Sequence, residues 1–263
     1  MNKNKFSARQ CALIFGLTFF VVGLICFSVS QAATAPTIIL LSSRSLVYAN
    51  DVFLMNVELS TGSESINVAD VNVQFDPEKI RIEGVSTGDS VFTLWTRTPV
   101  FSNAAGRILA TGGVPSGFKG RGNIMTVIVR ALTVGDARVS LNSDSSLYRN
   151  DGRGTRLAVS STSTRVGIAS APKNSVVKDD WSMALSLDTK PPENLELVVT
   201  KNPDLFNNRY FAAFSAYDDG VGVYTYEVGE GDDSFVVTES PYVLQHQWLG
   251  KEIRLRVTDR AGN

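Results

Sequence analysis

Hydrophobic and polar positions alternate along most of this chain. In Phe53, Met55, Val57 and Leu59 every second residue is apolar, and the period recurs in Ala69, Val71, Val73, Phe75, in Met125, Val127, Val129, Ala131, and in Ala137, Val139, Leu141. A period of two turns one face to a core and the other to water, so each run predicts a half-buried strand. The runs are rich in Val, Ile, Thr and Phe, are punctuated by Gly, Asn and Asp, and recur at roughly 8–12 residues. No amphipathic helix of useful length is visible. The pattern predicts an all-β protein built as a sandwich or jelly roll.

The pattern breaks between residues 169 and 187, where Ala-Ser-Ala-Pro and the pair Asp179-Asp180 precede Asp188-Thr189-Lys190-Pro191-Pro192. Consecutive prolines stiffen a connector and cannot continue a central strand, so 169–187 is read as a linker. Within it, Trp181, Met183, Leu185 and Leu187 alternate as an edge strand would. A second set of short strands follows from residue 188: Leu195, Leu197, Val199; Phe211 to Ala216; Tyr224, Tyr226, Val228; Phe235, Val237; and Ile253, Leu255, Val257. This set predicts a smaller immunoglobulin-like sandwich over 188–263. The final Asp259-Arg260-Ala261-Gly262-Asn263 reads as a turn with nothing to pair after it, so this sandwich is expected to lack its last strand and the natural polypeptide to continue.

The chain begins with Lys3, Lys5 and Arg9 and no acid, followed by an apolar run from Ala12 to Val29 and the small residues Ser30, Ala32 and Ala33. This predicts a secretory signal peptide over 1–32, cut after Ala32. The competing reading is an uncleaved membrane anchor, against which Gly16, Thr18, Gly23 and Ser28 interrupt the run. Both cysteines, Cys11 and Cys26, fall in this segment, so the exported protein would have neither disulfides nor cysteine-bound zinc. Removing three basic residues and no acid shifts the formal charge from −1 to −4. A mildly acidic surface gives no electrostatic case for nucleic acid. A secreted or cell-surface protein is expected, attached to a membrane only through an uncleaved signal or a further C-terminal anchor.

Candidate chemistry is sparse. The single histidine, His246, has no elbow motif or metal-ligand spacing around it and reads as a loop or strand residue. The acids stand singly or in turns, where Asp bonds its own backbone, and no enzyme is predicted. No cofactor is expected. Asn142-Ser143-Asp144 with Asn150-Asp151-Gly152, and Asp218-Asp219-Gly220, offer oxygens to Ca²⁺ but lack the alternating spacing of an EF-type loop. The aromatics of the first module carry more interest. Phe92, Trp95 and Phe101 cluster in a Pro- and Thr-containing connection, and Phe118 stands among glycines in Gly112–Gly122, a stretch whose Gly and Pro content predicts a surface loop. Such aromatics either plug a core or anchor a sugar or a protein.

Three stretches carry a resemblance. Val47-Tyr48-Ala49-Asn50-Asp51-Val52-Phe53, Ile66 to Val71, and Gln74-Phe75-Asp76-Pro77-Glu78-Lys79-Ile80 resemble the opening of a bacterial cohesin domain. Phe101-Ser102-Asn103, Gly106-Arg107-Ile108, Gly112-Gly113 and Gly117-Phe118 resemble the middle of such modules, and Asn150 to Thr155 a turn near their end. The resemblance covers about 36–168 and implies a nine-stranded jelly-roll sandwich, related in fold to carbohydrate-binding modules, that attaches a dockerin-type or other secreted partner in a surface or polysaccharide-associated assembly. Direct carbohydrate binding by the same sandwich is the alternative. Asp188-Thr189-Lys190-Pro191-Pro192, Tyr217-Asp218-Asp219-Gly220 and Val257 to Asn263 resemble bacterial immunoglobulin-like repeats, which act as spacers. The candidate binding residues are Trp95, Phe101, Asn103 and Phe118.

Overall fold

The computed structural model describes residues 34–160, 162–248 and 250–263; the expected signal peptide and both cysteines lie outside the described residues. The first module contains β1 (Thr37–Ser42), β2 (Leu46–Tyr48), β3 (Val52–Ser60), β4 (Ile66–Phe75), β5 (Ile80–Ser86), β6 (Leu94–Ser102), β7 (Arg107–Phe118), β8 (Arg121–Ala131), β9 (Gly135–Leu141), β10 (Ser146–Arg149), β11 (Arg156–Ala158) and β12 (Ser163–Ala169). One sheet has the order β1-β3-β8-β5. The larger sheet runs β6-β7-β4, then β9 and β10 along the far side of β4, then β12 and β11 outside them, with β2 parallel to β12.

Twelve segments make nine strands. β9 and β10 share one row, interrupted by the turn at 142–145, and β11 and β12 share the next. β1 and β2 are one strand that leaves the smaller sheet and joins the larger, closing the sandwich at that edge. The alternating positions of the sequence supply the core. Phe53, Val57, Leu59, Ala69, Met125, Val129 and Ala131 are fully buried, with Val71, Val73, Phe75, Val139 and Leu141 beside them.

The stretch read as a linker or edge strand contains a helix, α1 (Asp180–Leu187), capped by the Asp179 carboxylate, which accepts the Ser182 amide at 2.8 Å. Eight residues with no buried side chain do not separate a period of two from a period of 3.6, and the capping aspartate decides for helix. The segment is stitched to the first sandwich. The Lys178 amide donates to Asp51 at 2.9 Å, the Val52 amide donates to the Lys178 carbonyl at 2.8 Å, and Asp180 pairs with Arg44. α1 packs against β3, and the outward-pointing Val52 and Ile128 of that sheet are buried.

The second module consists of β13 (Glu193–Lys201), β14 (Tyr210–Tyr217), β15 (Val223–Glu230), β16 (Val236–Thr238), β17 (Tyr242–Val243) and β18 (Ile253–Asp259). They form two three-stranded sheets, β13-β14-β17 and β16-β15-β18, around a small core of Ala212, Phe214, Val228 and Leu244. Ser86 Oγ donates to the Val221 carbonyl at 2.5 Å, the Asp89 amide to the Asp218 carbonyl at 2.9 Å, and Arg260 to the Val85 carbonyl at 3.1 Å, joining the modules. Buried apolar area dominates stability, and the first core is far larger. The second sandwich should therefore exchange its amide protons and unfold at lower denaturant than the first. Coincident transitions followed by hydrogen exchange in both modules would refute this.

Candidate functional site

The smaller sheet is partly covered on its outer side by α1. The larger sheet keeps its outer face open, and the register states which residues it presents. Directly opposed residues share a face. Val68, Gly113 and Leu94 lie in one line across β4, β7 and β6; Asp70, Thr111 and Arg97 form the next; Asn72, Leu109 and Val100 the third; and Gln74, Arg107 and Ser102 the last. On the other side of β4, Ser146 stands opposite Asp70 and Tyr148 opposite Val68. Leu94 and Val100 are 57% and 49% exposed. Together with Val68 and Leu109 they make an aliphatic patch bordered by Thr, Asn, Asp and Arg.

Gly113 is the low point of this patch. A Cβ on it would lie 1.9 Å from the Asn67 carbonyl oxygen, so the β-strand backbone approaches too closely for any side chain. The result is a dent of about 80 Å³ lined by Asn67, Val68, Leu94, Thr96, Val114 and Pro115. Asn67 Oδ1, and Asn72 Oδ1 further along β4, are buried acceptors without a hydrogen-bond partner. Beside them Asp70 Oδ2 accepts from the Tyr148 hydroxyl at 3.2 Å and from Ser146 Oγ at 3.4 Å, which fixes the carboxylate among the strands. An apolar dent of this size suits an aliphatic side chain.

The four residues singled out from the sequence do not share this face. Trp95 is half-buried and lies over Gly112, where a Cβ would meet its ring at 2.5 Å. Its ring also meets Phe92 edge-on at 5.8 Å and packs against the core. Phe118 is half-buried against the same core. Asn103 clamps one residue of β5, its Oδ1 accepting the Ile82 amide at 2.8 Å and its Nδ2 donating to the Ile82 carbonyl at 2.9 Å. Phe101 is 39% exposed on β6, opposite Ile108.

The expected surface loop over Gly112–Gly122 is instead the end of β7 and the start of β8, which lie in different sheets and are joined by a short crossing at Lys119-Gly120. Gly112 and Gly113 leave room for the Trp95 ring and the Asn67 carbonyl, which press on the strand. The outward set of Val68, Leu94, Val100 and Leu109 went unnoticed in the sequence. The signal available was apolar residues on both parities, as in Ile108-Leu109 of β7.

Glu230, buried in the second module, accepts the Gln245 and His246 amides at 2.7 and 2.8 Å and the Tyr242 hydroxyl at 3.0 Å, with His246 Nδ1 at 3.0 Å. Burial pushes its carboxyl up, but these donors prevail and hold it below the usual range. Asn142 Oδ1 accepts the Asp144 amide, and Asp151 accepts the Arg153 amide and Thr155 hydroxyl, which is turn chemistry.

Asp188, Asp218 and Asp259 are the group among the described residues whose carboxylate oxygens come within 4.8 Å of one another, the arrangement a hard cation takes. Each is already held by amides: Asp218 by Gly220 and Gly222, Asp259 by Gly262 and Asn263, and Asp188 by Lys190 and Val221.

No protein-family model matches the chain, and no curated protein is similar to it. Among solved structures, the chain is similar to a non-cellulosomal cohesin from the archaeon Archaeoglobus fulgidus, at 14% identity over 52% of this chain and 93% of that one, with a TM-score of 0.43. It is also similar to the sixth cohesin of Acetivibrio cellulolyticus scaffoldin B, solved in complex with a Cel5 dockerin, at 15% identity over 52% of this chain and 100% of that one, TM-score 0.44. A type I cohesin from Pseudobacteroides cellulosolvens gives 13% identity, 54% and 97% coverage and a TM-score of 0.44.

Burial raises the Asp218 carboxyl; the Gly222 and Gly220 amides oppose this, and the charges of Asp188 and Asp259 add to it. A carboxyl raised in the folded state takes up its proton more readily there than in the unfolded chain. This group therefore weakens the fold at neutral pH, and the penalty fades as pH falls through the folded value toward the unfolded one. Asp218→Asn keeps an oxygen for Gly220 and Gly222 and removes the charge. Its melting temperature at pH 7 should exceed that of the wild type, and the gap should close on acidification; a lower melting temperature at pH 7 would contradict the repulsion.

Proposed function

We propose that the first sandwich is a non-catalytic docking module. Its open face reversibly holds a protein partner of the dockerin type in an extracellular or cell-surface assembly, with the second sandwich as spacer. The observation that carries this reading is the composition of that face: Val68, Leu94, Val100 and Leu109 around the Gly113 dent, bordered by Asp70, Thr111 and Arg97. Aliphatic side chains on a flat sheet, ringed by polar groups, match the buried centre and polar rim of protein interfaces. A glycan is gripped by stacked aromatic faces, and the outward aromatics described on the larger sheet are Tyr148, engaged by Asp70, and Tyr48 on the separate edge strand β2, which do not adjoin. The sequence resemblance to cohesin domains supports the partner class, and the N-terminal segment supports export.

The test is binding of the purified chain to an immobilised panel of dockerin modules and to insoluble polysaccharides. Leu94→Glu and Val100→Glu, at exposed positions, should change stability by less than about 0.5 kcal/mol while lowering affinity for the captured dockerin by about 2 kcal/mol or more. Phe118→Ala should do the reverse, costing roughly 2–4 kcal/mol of stability as a core truncation. Retention on polysaccharide that survives both face substitutions, with no dockerin captured, would replace the docking reading by the glycan one.

A further inference from the structure

Two turns meet at the joint between the sandwiches. In the first sandwich the turn Thr87–Ser90 is closed by the Ser90 amide, which donates to the Thr87 carbonyl at 3.2 Å. Its corner of positive φ is Asp89, at 57°, the place where turn chemistry favours glycine. The glycine stands instead at Gly88, whose φ is not positive and whose backbone other residues can adopt. What excludes a side chain there is the second sandwich. A Cβ on Gly88 would lie 2.3 Å from the Gly220 carbonyl oxygen and 2.6 Å from the Gly222 nitrogen. Gly220 repeats the pattern: its φ is not positive either, and a Cβ on it would meet the Asp188 carboxylate at 2.0 Å. Neither glycine is required by its own backbone conformation, and both are required by the close approach at the joint.

The contact is fixed at several separate points. Val85, Ser86, Asp218 and Val221 are buried in it, and three hydrogen bonds cross it, from Ser86 to Val221, from Asp89 to Asp218 and from Arg260 to Val85. The connector closes it from a further side. Asp188 Oδ2 accepts the Val221 amide at 2.8 Å, and Asn263 Nδ2 donates to the Asp188 carbonyl at 3.2 Å. Earlier in the same connector, Lys178 and Asp180 are tied to the first sandwich, so both of its ends are held. Joined domains move relative to one another unless their interface restrains them. Here the opposing atoms at Gly88 are backbone on both sides, which cannot yield as a flexible side chain does. We propose that the two sandwiches form one rigid unit, keyed by Gly88 into the Gly220–Gly222 turn, so that the second sandwich holds the open face of the first at a fixed orientation. The key is independent of what that face binds.

The test is the distance between spin labels, one in each sandwich, measured by double electron–electron resonance. In the full chain with Cys11 and Cys26 changed to serine, labels on Arg138→Cys and Val237→Cys, both exposed positions, should give a single narrow distribution. Its width should match that of a reference pair within the first sandwich, Arg81→Cys and Arg138→Cys. Gly88→Val should widen the distribution between the sandwiches about twofold or more and leave the reference pair unchanged. Ser86→Ala combined with Arg260→Ala removes two crossing hydrogen bonds without adding volume and should widen it as well; this variant decides the outcome if Gly88→Val disturbs the reference pair. A wild-type distribution much broader than the reference overturns the proposal, because the sandwiches then move freely. A narrow distribution that neither variant widens overturns it equally, because another contact then sets the orientation. No ligand enters the measurement, so failure to capture a dockerin would leave its result standing.

Discussion

Two β-sheets with one apolar face each must bury those faces against one another, and everything functional in the first module follows from how that is done. Phe53, Val57 and Leu59 from β3, Met125 and Val129 from β8, and Ala69, Val71 and Val73 from β4 fill the space between the sheets. Each large side chain so buried is worth roughly 1.5–3 kcal/mol. The sandwich then needs its sheets tied at the edges. β1/β2 does this by changing sheets, and Asn103 does it with paired hydrogen bonds between the β6–β7 turn and β5. α1 and the Lys178 region cover part of the outside of the smaller sheet, and the outer face of the larger sheet stays open.

That open face has a cost built into it. Asn67 and Asn72 each carry a buried oxygen with no donor, and an unsatisfied buried acceptor costs about 1–3 kcal/mol. An apolar substitution of similar shape at either position would remove that cost. The large core beneath the face keeps the fold stable while these acceptors stand unpaired. The same core holds Val68, Leu94 and Leu109 in fixed rows across β4, β7 and β6.

The period-two runs placed the strands and the inward residues because burial on one face leaves a direct mark on residue type. Phe53, Ala69, Val129 and Val139 were legible for that reason. The candidate aromatics were harder, because an aromatic beside glycine looks the same whether the glycine marks a loop or yields to the ring. Gly112 yields to Trp95, a long-range contact across β6 and β7 that no local pattern records. The outer aliphatic patch was hidden for a related reason. Leu94, Val100 and Leu109 are ordinary strand residues singly, and only the β6-β7-β4 register brings them together. The helix at Asp180–Leu187 escaped notice because eight residues fit both periodicities.

The second sandwich shows what happens when the same alternation meets a smaller core. Leu197 and Val199 sit opposite Phe214 and Ala212 on the core side of their sheet, yet they remain exposed. Alternation therefore reports the face a residue is on, whereas burial also requires an opposing layer of sufficient width. The junction between the modules obeys a similar division. Backbone amides of Gly220, Gly222, Gly262 and Asn263 draw carboxylates inward, while the charges of Asp188, Asp218 and Asp259 oppose that approach. Hydrogen bonds to amides act at contact distance and fix geometry; burial of the Asp218 carboxylate, with the neighbouring charges adding to it, lowers stability at neutral pH. Geometry and stability at this junction are consequently set by different forces, and removing one charge tests stability while leaving the amide-bonded turn in place.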